Sequence, residues 1–382
     1  MRIMQIRSSI RMWTHLKKFD WVLVATVLVL CAVSQLVLYS IDQGNGGTNY
    51  FHRQFFYLLA GLAAMIFLGF LDFRIFKNYS LILLILYFLL IAALVLVLFF
   101  GAKIRGTIGW FNLGAINFEP VELAKLVILL ILAKYFSGRH VEMYRPRHLL
   151  ISALYVLAPI FLILLQPDLG SALILAAIWL AVALLSEIKK RHLLFLALGA
   201  SLVFVVAWFF MLAPYQKARI SSVFNSARDP LNSSYNLIQS KIAVGSGGLW
   251  GKGLGQGTQG QLNFLPEKHT DFIFAVFAEE WGFLGVIFLL AFFALFFWRL
   301  IRAALRSSNN FSKLFVSGFA AMIFIEVFIN IGMNMGLVPI AGISLPFLSY
   351  GGSNLLINFA GLGIIQNIIS ESGSSAFFKK EE

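Results

Sequence analysis

Glu267, Lys268, His269 and Asp271 place four ionisable side chains within five positions, and a predominantly apolar run of 28 residues extends from Asp271 to Trp298. A helix starting there turns the positive end of its dipole toward Asp271 and favours the ionised carboxylate. Such a carboxylate can accept a proton from a substrate hydroxyl. It can equally cap the helix, and the residue types leave both roles open. At 1.5 Å per residue the run spans about 42 Å, more than the roughly 30 Å of a membrane's hydrocarbon. The helix must therefore tilt or project, with Asp271 at or above the interface. Glu279 and Glu280 lie two to three turns deeper, where a charge needs a neighbouring helix or water.

Other residues of this kind sit at the edges of further apolar runs. Glu122 and Lys125, three apart at the start of run 121–136, share a helix face and can pair. Ionisable residues in such runs usually line a cavity or a path, and a plain structural pair is the alternative. Asp168, in the turn Gln166-Pro-Asp-Leu-Gly170, is placed either to cap the following helix or to meet a substrate. Half of the residues from Gly245 to Gly260 are glycine. That backbone can approach a ligand closely, with Lys241 and Lys252 at hand for anionic groups, or it is a flexible connector. Gly255, Gly257 and Gly260 match G-x-G-x-x-G, but no strand precedes them and no βαβ unit is in reach, which discards dinucleotide binding. Pro339 to Gly352, rich in proline and glycine, ends in Ser349-Tyr-Gly-Gly-Ser353. Non-helical backbone at membrane depth is tolerated where it lines a cavity or is buried in protein, so a re-entrant loop is expected there. The single cysteine, Cys31, excludes an intrachain disulfide, and no Cys/His cluster has metal-ligand spacing.

The elements that must hold these residues are membrane helices. Hydrophobic residues are 60% of the 382-residue chain and charged residues 12%, a balance outside that of soluble domains. Apolar runs long enough to cross hydrocarbon lie at 21–40, 55–71, 79–100, 121–136, 149–165, 169–186, 193–213, 271–298, 314–335 and 353–370. The expected fold is all-α: a polytopic membrane protein of about ten transmembrane helices, with a large outer loop (214–270) before the eighth helix and a re-entrant loop before the tenth. No internal repeat and no second core-sized segment stand out, so 1–382 reads as one membrane domain with tails at 1–20 and 371–382. The first run is too long for a signal-peptide core and lacks a small-residue cleavage site, which makes it an uncleaved anchor. With the N-terminus inside, inner loops hold 20 Lys and Arg against 3 in the short outer loops. Both termini are therefore expected in the cytoplasm. This distribution accounts for the net charge of +13 as positive-inside bias and attraction to anionic membrane lipids, and argues against nucleic acid. The distinctive loops face outward, where a carboxylate between membrane and water suits a substrate that is half lipid and half sugar.

A set of segments carries a resemblance: Gly109-Trp-Phe-Asn-Leu-Gly114, Glu119-Pro-Val-Glu-Leu-Ala-Lys125, Gln166-Pro-Asp-Leu-Gly-Ser171, Gln239-Ser-Lys-Ile-Ala-Val-Gly-Ser-Gly-Gly248, Leu265-Pro-Glu-Lys-His-Thr-Asp-Phe-Ile-Phe274, Asn330-Ile-Gly332 and Leu345-Pro-Phe-Leu-Ser-Tyr-Gly-Gly-Ser353. Through them the chain closely resembles the SEDS family (shape, elongation, division and sporulation), polytopic glycosyltransferases of bacterial cell-wall synthesis. The resemblance implies polymerisation of lipid II, an undecaprenyl-pyrophosphate-linked disaccharide pentapeptide, into glycan strands. Asp271 would be the catalytic base, taking the proton of the acceptor's sugar hydroxyl as undecaprenyl pyrophosphate leaves with inversion. Trp110, Glu122, Lys125 and Asp168 match family positions associated with activity. Lys125 or Arg53 would face pyrophosphate or a carboxylate, and Lys241, Ser349 and Ser353 complete the substrate-binding candidates. One departure is Glu119-Pro-Val-Glu122, where the family usually shows Gln-Pro-Ser-Glu, which leaves no expected role for positions 119 and 121. No cofactor or metal site is implied with certainty, and a divalent cation stays open.

The Leu265 to Val276 motif is similar to that of the elongation branch more than of the division branch. The resemblance then implies a multi-pass protein of the bacterial inner membrane. Its partners would be a class B penicillin-binding protein that crosslinks the strands, other membrane proteins of the elongation complex, and the cytoskeleton. Alternatives are a division or sporulation polymerase, a lipid II flippase or transporter, and a structural scaffold. A transporter predicts broken helices related by an internal repeat, and a scaffold predicts that Asp271 is replaceable.

Overall fold

In hydrocarbon a backbone has no polar partner but its own, so an apolar run becomes a helix; each of the ten expected runs falls on one. The computed structural model describes residues 18–44, 49–104, 107–112, 114, 117–139, 146–186, 190–211, 216–219, 221 and 234–378. In chain order these form α1 (Trp21–Gly44), α2 (Tyr50–Phe70), the short α3 (Arg74–Asn78), α4 (Ser80–Phe100), strands β1 (Ala102–Ile104), β2 (Thr107–Asn112) and β3 (Asn117–Phe118), then α5 (Pro120–Ser137), α6 (Pro146–Leu165), α7 (Leu169–Leu185) and α8 (Lys190–Val206), which runs into a π turn. After the outer loop come α9 (Tyr235–Ser246), α10 (Thr258–Gln261), α11 (Ile273–Arg306), α12 (Asn310–Met335) and α13 (Gly352–Phe378).

Seven of these, α1, α2, α4, α6, α11, α12 and α13, are long and apolar enough to cross a membrane. Of the other three, α5 carries Glu122, Lys125 and Lys134 in its 18 residues, and α7 and α8 have 17 each. The helical multi-pass architecture stands. Two expectations change at the margins. α13 runs to Phe378, so most of the segment expected as a tail from 371 is helical. The segment between α4 and α5, expected as a loop, is a small antiparallel sheet of order β1-β2-β3. Thr107, Ile108, Trp110 and Phe111 are β-branched or aromatic residues that suit a pleated surface. The N-terminal tail to residue 17 and residues 222–233 of the outer loop lie outside the described residues.

α5 is buried on nearly every face, the mark of a helix enclosed by others, and it packs against α4, α6, α7, α12 and α13. Its charged residues are thereby carried into the interior. α2, α4 and α6 instead turn Phe56, Phe67, Phe88, Phe99 and Phe161 outward.

α11 is broken. Gly282 takes φ 65° and ψ −167°, a conformation essentially reserved for glycine. A break in a membrane helix frees carbonyls on one side and N–H groups on the other, and each needs a partner. The glycine-rich segment supplies two on each side of the break. Lys252 N and Gly253 N donate to the carbonyls of Glu279 and Glu280, each at 3.0 Å. Phe283 N and Leu284 N donate to the carbonyls of Gly248 and Leu249, at 2.8 and 3.1 Å. The reading of 245–260 as a flexible connector is therefore corrected: the segment is fitted into the helix it precedes.

Candidate active site

Asp271 opens the upper half of α11, yet the N-cap is Phe272, which makes no side-chain cap. The capping position is thus not Asp271's. Its peptide is held from three sides instead. Asn330 Nδ2 and Asn334 Nδ2 from α12 donate to its carbonyl, each at 3.0 Å. Ser349 Oγ donates to the carbonyl of Thr270 at 2.6 Å, and Tyr350 N to that of His269 at 2.8 Å. The carboxylate, partly exposed, lies against Gly342 (φ 68°), where a Cβ would stand 3.7 Å from Asp271 Oδ2. The non-helical segment between α12 and α13 therefore borders the Asp271 carboxylate.

One turn along α12 from Asn330 is a buried charge cluster. Lys125 Nζ lies 2.8 Å from Glu122 Oε2 and 2.6 Å from Glu326 Oε1. Asn354 Nδ2 donates to Glu122 Oε2 at 2.9 Å, and Asn358 Nδ2 to Asn354 Oδ1 at 2.9 Å. All five side chains are at most 9% exposed. Buried charges persist only when paired and hydrogen-bonded, and here one lysine serves two carboxylates. The expected Glu122–Lys125 pair is present. Glu326 was missed: a residue 201 positions away cannot be found by local spacing, although a lone carboxylate inside the run 314–335 was a signal.

Two more acids lie beside this cluster. Asp168 caps α7, accepting from Ser171 N at 3.0 Å, and burial raises its carboxyl above the ordinary range against the pull of those Ser171 bonds. Glu119 accepts a hydrogen bond from Trp110. Burial first, then the Glu122 and Asp168 carboxylates, hold it well above the usual glutamate range, with Lys125 and the Trp110 bond opposing. Trp110, Asp168, Glu122 and Lys125 are thus brought together, through Glu119.

The remaining candidates have structural attachments. Arg53 is hydrogen-bonded to Tyr350, whose ring meets Tyr50 and His269 at 5.0 and 5.7 Å. Ser349 is 6% exposed, and its hydroxyl also accepts from Leu345 N at 2.7 Å. Ser353 accepts from Glu119 N at 2.9 Å and lies 3.2 Å from the Asn117 carbonyl. Both serines fix backbone around the site. Lys241 lies across the C-terminal cap of α12 at Gly336, where a cation suits the helix dipole. Among the described residues no group of acids, histidines and cysteines could hold a metal ion.

Glu279 and Glu280 are buried anchors of the glycine-rich segment. The fully buried Glu279 carboxylate accepts from Lys252 Nζ (2.7 Å), Thr258 Oγ1 (3.1 Å) and Gln259 N (3.1 Å). Glu280 accepts from Gly255 N at 3.1 Å and from the Ser40 hydroxyl of α1.

Comparison with known proteins places this geometry. The chain is 37% identical over 354 residues to the peptidoglycan glycosyltransferase MrdB of Escherichia coli K12, covering 91% of this chain and 93% of that protein. A chain from a structure described as structural coordination of polymerization and crosslinking by a peptidoglycan synthase complex superimposes with TM-score 0.79 at 34% identity, over 93% of this chain and 98% of that one. The rod shape determining protein RodA of Thermus thermophilus superimposes with TM-score 0.66 at 33% identity, over 92% and 96%. The family model described as cell cycle protein (FtsW, RodA, SpoVE) matches residues 14–374, so the chain belongs to the FtsW/RodA/SpoVE family, the SEDS proteins that its sequence resembles.

Proposed function

We propose that this chain is a peptidoglycan glycosyltransferase that polymerises lipid II, with Asp271 as general base. The observation that carries the reading is the fixed peptide and partly exposed carboxylate of Asp271 beside the segment between α12 and α13. In the reaction the acceptor's sugar 4-hydroxyl oxygen attacks C1 of the donor muramic sugar. The bond from C1 to the phosphate oxygen breaks, undecaprenyl pyrophosphate leaves with the electron pair, and Asp271 takes the hydroxyl proton. Charge developing on the leaving group needs a cation. Lys125 is already shared by two carboxylates, so Arg53, exposed beside Tyr350, is the better candidate. The relatedness to MrdB and to rod shape determining RodA supports an elongation role, and the excess of Lys and Arg in alternate loops supports an inner-membrane protein with the site facing outward and both termini in the cytoplasm. The likeness to a chain of a synthase complex that couples polymerisation to crosslinking supports a class B penicillin-binding protein as partner. The test is Asp271→Asn, which keeps size and removes basicity. Lipid II polymerisation by the purified variant, alone and with its partner, should fall about 10² to 10⁴-fold. A folded variant at the parent rate overturns the assignment.

A further inference from the structure

α12 carries Glu326, Asn330 and Asn334 at four-residue steps, so one face presents all three. Each is at most 1% exposed, and polar side chains buried at membrane depth are costly unless they serve a partner. The Asn330 amide donates to the Asp271 carbonyl at 3.0 Å and to the Ile343 carbonyl at 2.7 Å. The Asn334 amide donates to the same Asp271 carbonyl at 3.0 Å and to the Asn330 carbonyl at 2.8 Å. Each amide has two hydrogens and a carbonyl oxygen two lone pairs, so both donors and the acceptor are fully used. The Asp271 carbonyl is available because Ala275 N, which would close the next helical bond, donates to Phe272 O at 3.1 Å. Behind the clamp, Ser240 Oγ of α9 lies 2.9 Å from the carbonyl and 3.1 Å from Oδ1 of Asn334.

We propose that Asn330 and Asn334 are positioning residues for the base, and that Ser240 passes the position of α9 through Asn334 to Asp271. The clamp ties the Asp271 peptide to the Ile343 peptide of the loop that borders the carboxylate, so the side chain keeps its aim at the mouth of the site. α9 belongs to the large outer loop, and the polar chain Ser240–Asn334–Asp271 gives whatever binds that loop a direct hold on the base. The proposal rests on the reading of Asp271 as base.

The test is a double-mutant cycle in lipid II polymerisation by the full chain. Asn334→Ala should lower kcat about 10²-fold, the scale of a small misplacement of a reacting group, with KM for lipid II little changed. In the Asp271→Asn background, where no base remains to be aimed, the same substitution should barely change the residual rate. Equal losses in both backgrounds make Asn334 an independent structural residue and overturn the proposal, as does a parent-like Asn334→Ala. Should Asn334→Ala not fold, Ser240→Ala removes only the hydroxyl behind the clamp. Its smaller loss of kcat should likewise vanish in the Asp271→Asn background, and persistence there, or no loss at all, overturns the proposal. Asp271→Asn at the parent rate defeats the base assignment itself, a separate result.

Discussion

Lys125 shows how much one side chain is asked to do. Its ammonium neutralises Glu122 on its own helix and Glu326 on α12, so the pair legible in the spacing of 122 and 125 is two-thirds of the actual group. That third member changes the expected outcome of exchanging the charges. With Glu122→Lys and Lys125→Glu together, the new carboxylate at 125 faces Glu326, and the new ammonium at 122 faces the Asn354 amide, another donor. Disrupting a buried ion pair typically costs about 3–5 kcal/mol, so the exchanged protein should lose both thermal stability in detergent and polymerisation. Parent-like melting would show the cluster to be solvated and dispensable. Glu119 gives a second prediction. Its carboxyl is held above the ordinary range, so the folded state binds its proton more tightly than the unfolded chain does. That contribution is present below the unfolded value of about 4.3 and is lost as pH rises toward the folded value. Glu119→Gln cannot ionise and keeps an acceptor for Trp110. Melting temperatures measured across pH should therefore favour the variant increasingly as pH rises from about 4.3; a constant gap contradicts the assignment.

At the scale of elements, length and apolarity made the helices legible, because hydrocarbon leaves a backbone no other way to satisfy itself. The interruption of α11 was not. Residues 271–298 read as continuous, and neither Gly282 nor Gly285 says anything about φ until its neighbours are known. What determines it is 30 residues upstream: the turn at Gly248 to Gly253 lies against Gly282 and completes the hydrogen bonds that the break opens. The abundance of glycine in 245–260 was visible, but the same composition serves a tether or a tight fit, and only the Glu279 and Glu280 contacts distinguish them. Gly282→Ala tests this fit. A Cβ there would stand 2.2 Å from Gly251 N, and a backbone conformation this sparsely populated alone costs an alanine about 1–3 kcal/mol. The variant should melt lower, polymerise less, and show faster amide exchange at Lys252, Gly253, Phe283 and Leu284 than the parent. Fast exchange at those amides in the parent would instead mean that the segment is loosely attached.

The whole molecule is closed at the end opposite the site by Asp20. Arg299 donates to its carboxylate through Nε and Nη2 at 2.8 and 2.5 Å. The Asp20 backbone N donates to Gln366 Oε1 of α13 at 2.8 Å, and Gln366 Nε2 returns a bond to the Asp20 carbonyl at 3.3 Å. The entry to α1, the lower part of α11 and α13 are thus fastened together. The crowding of Arg299, Arg302, Arg306 and Lys313 at that end was readable as positive-inside bias. Which of them would hold another helix was not, since orientation depends on the number of cations and fastening on the geometry of one. Arg299 follows the break at Gly282 by 17 positions, about 26 Å of helix, so the fastening lies far from Asp271. Asp20→Asn should weaken a charge-assisted bond of about 1.5–3 kcal/mol, somewhat less for the partly exposed Arg299 side chain. The expected result is a lower melting temperature in detergent with kcat per folded molecule unchanged. A variant that melts like the parent but polymerises slowly would instead place this fastening of α1, α11 and α13 in communication with Asp271, the proposed base.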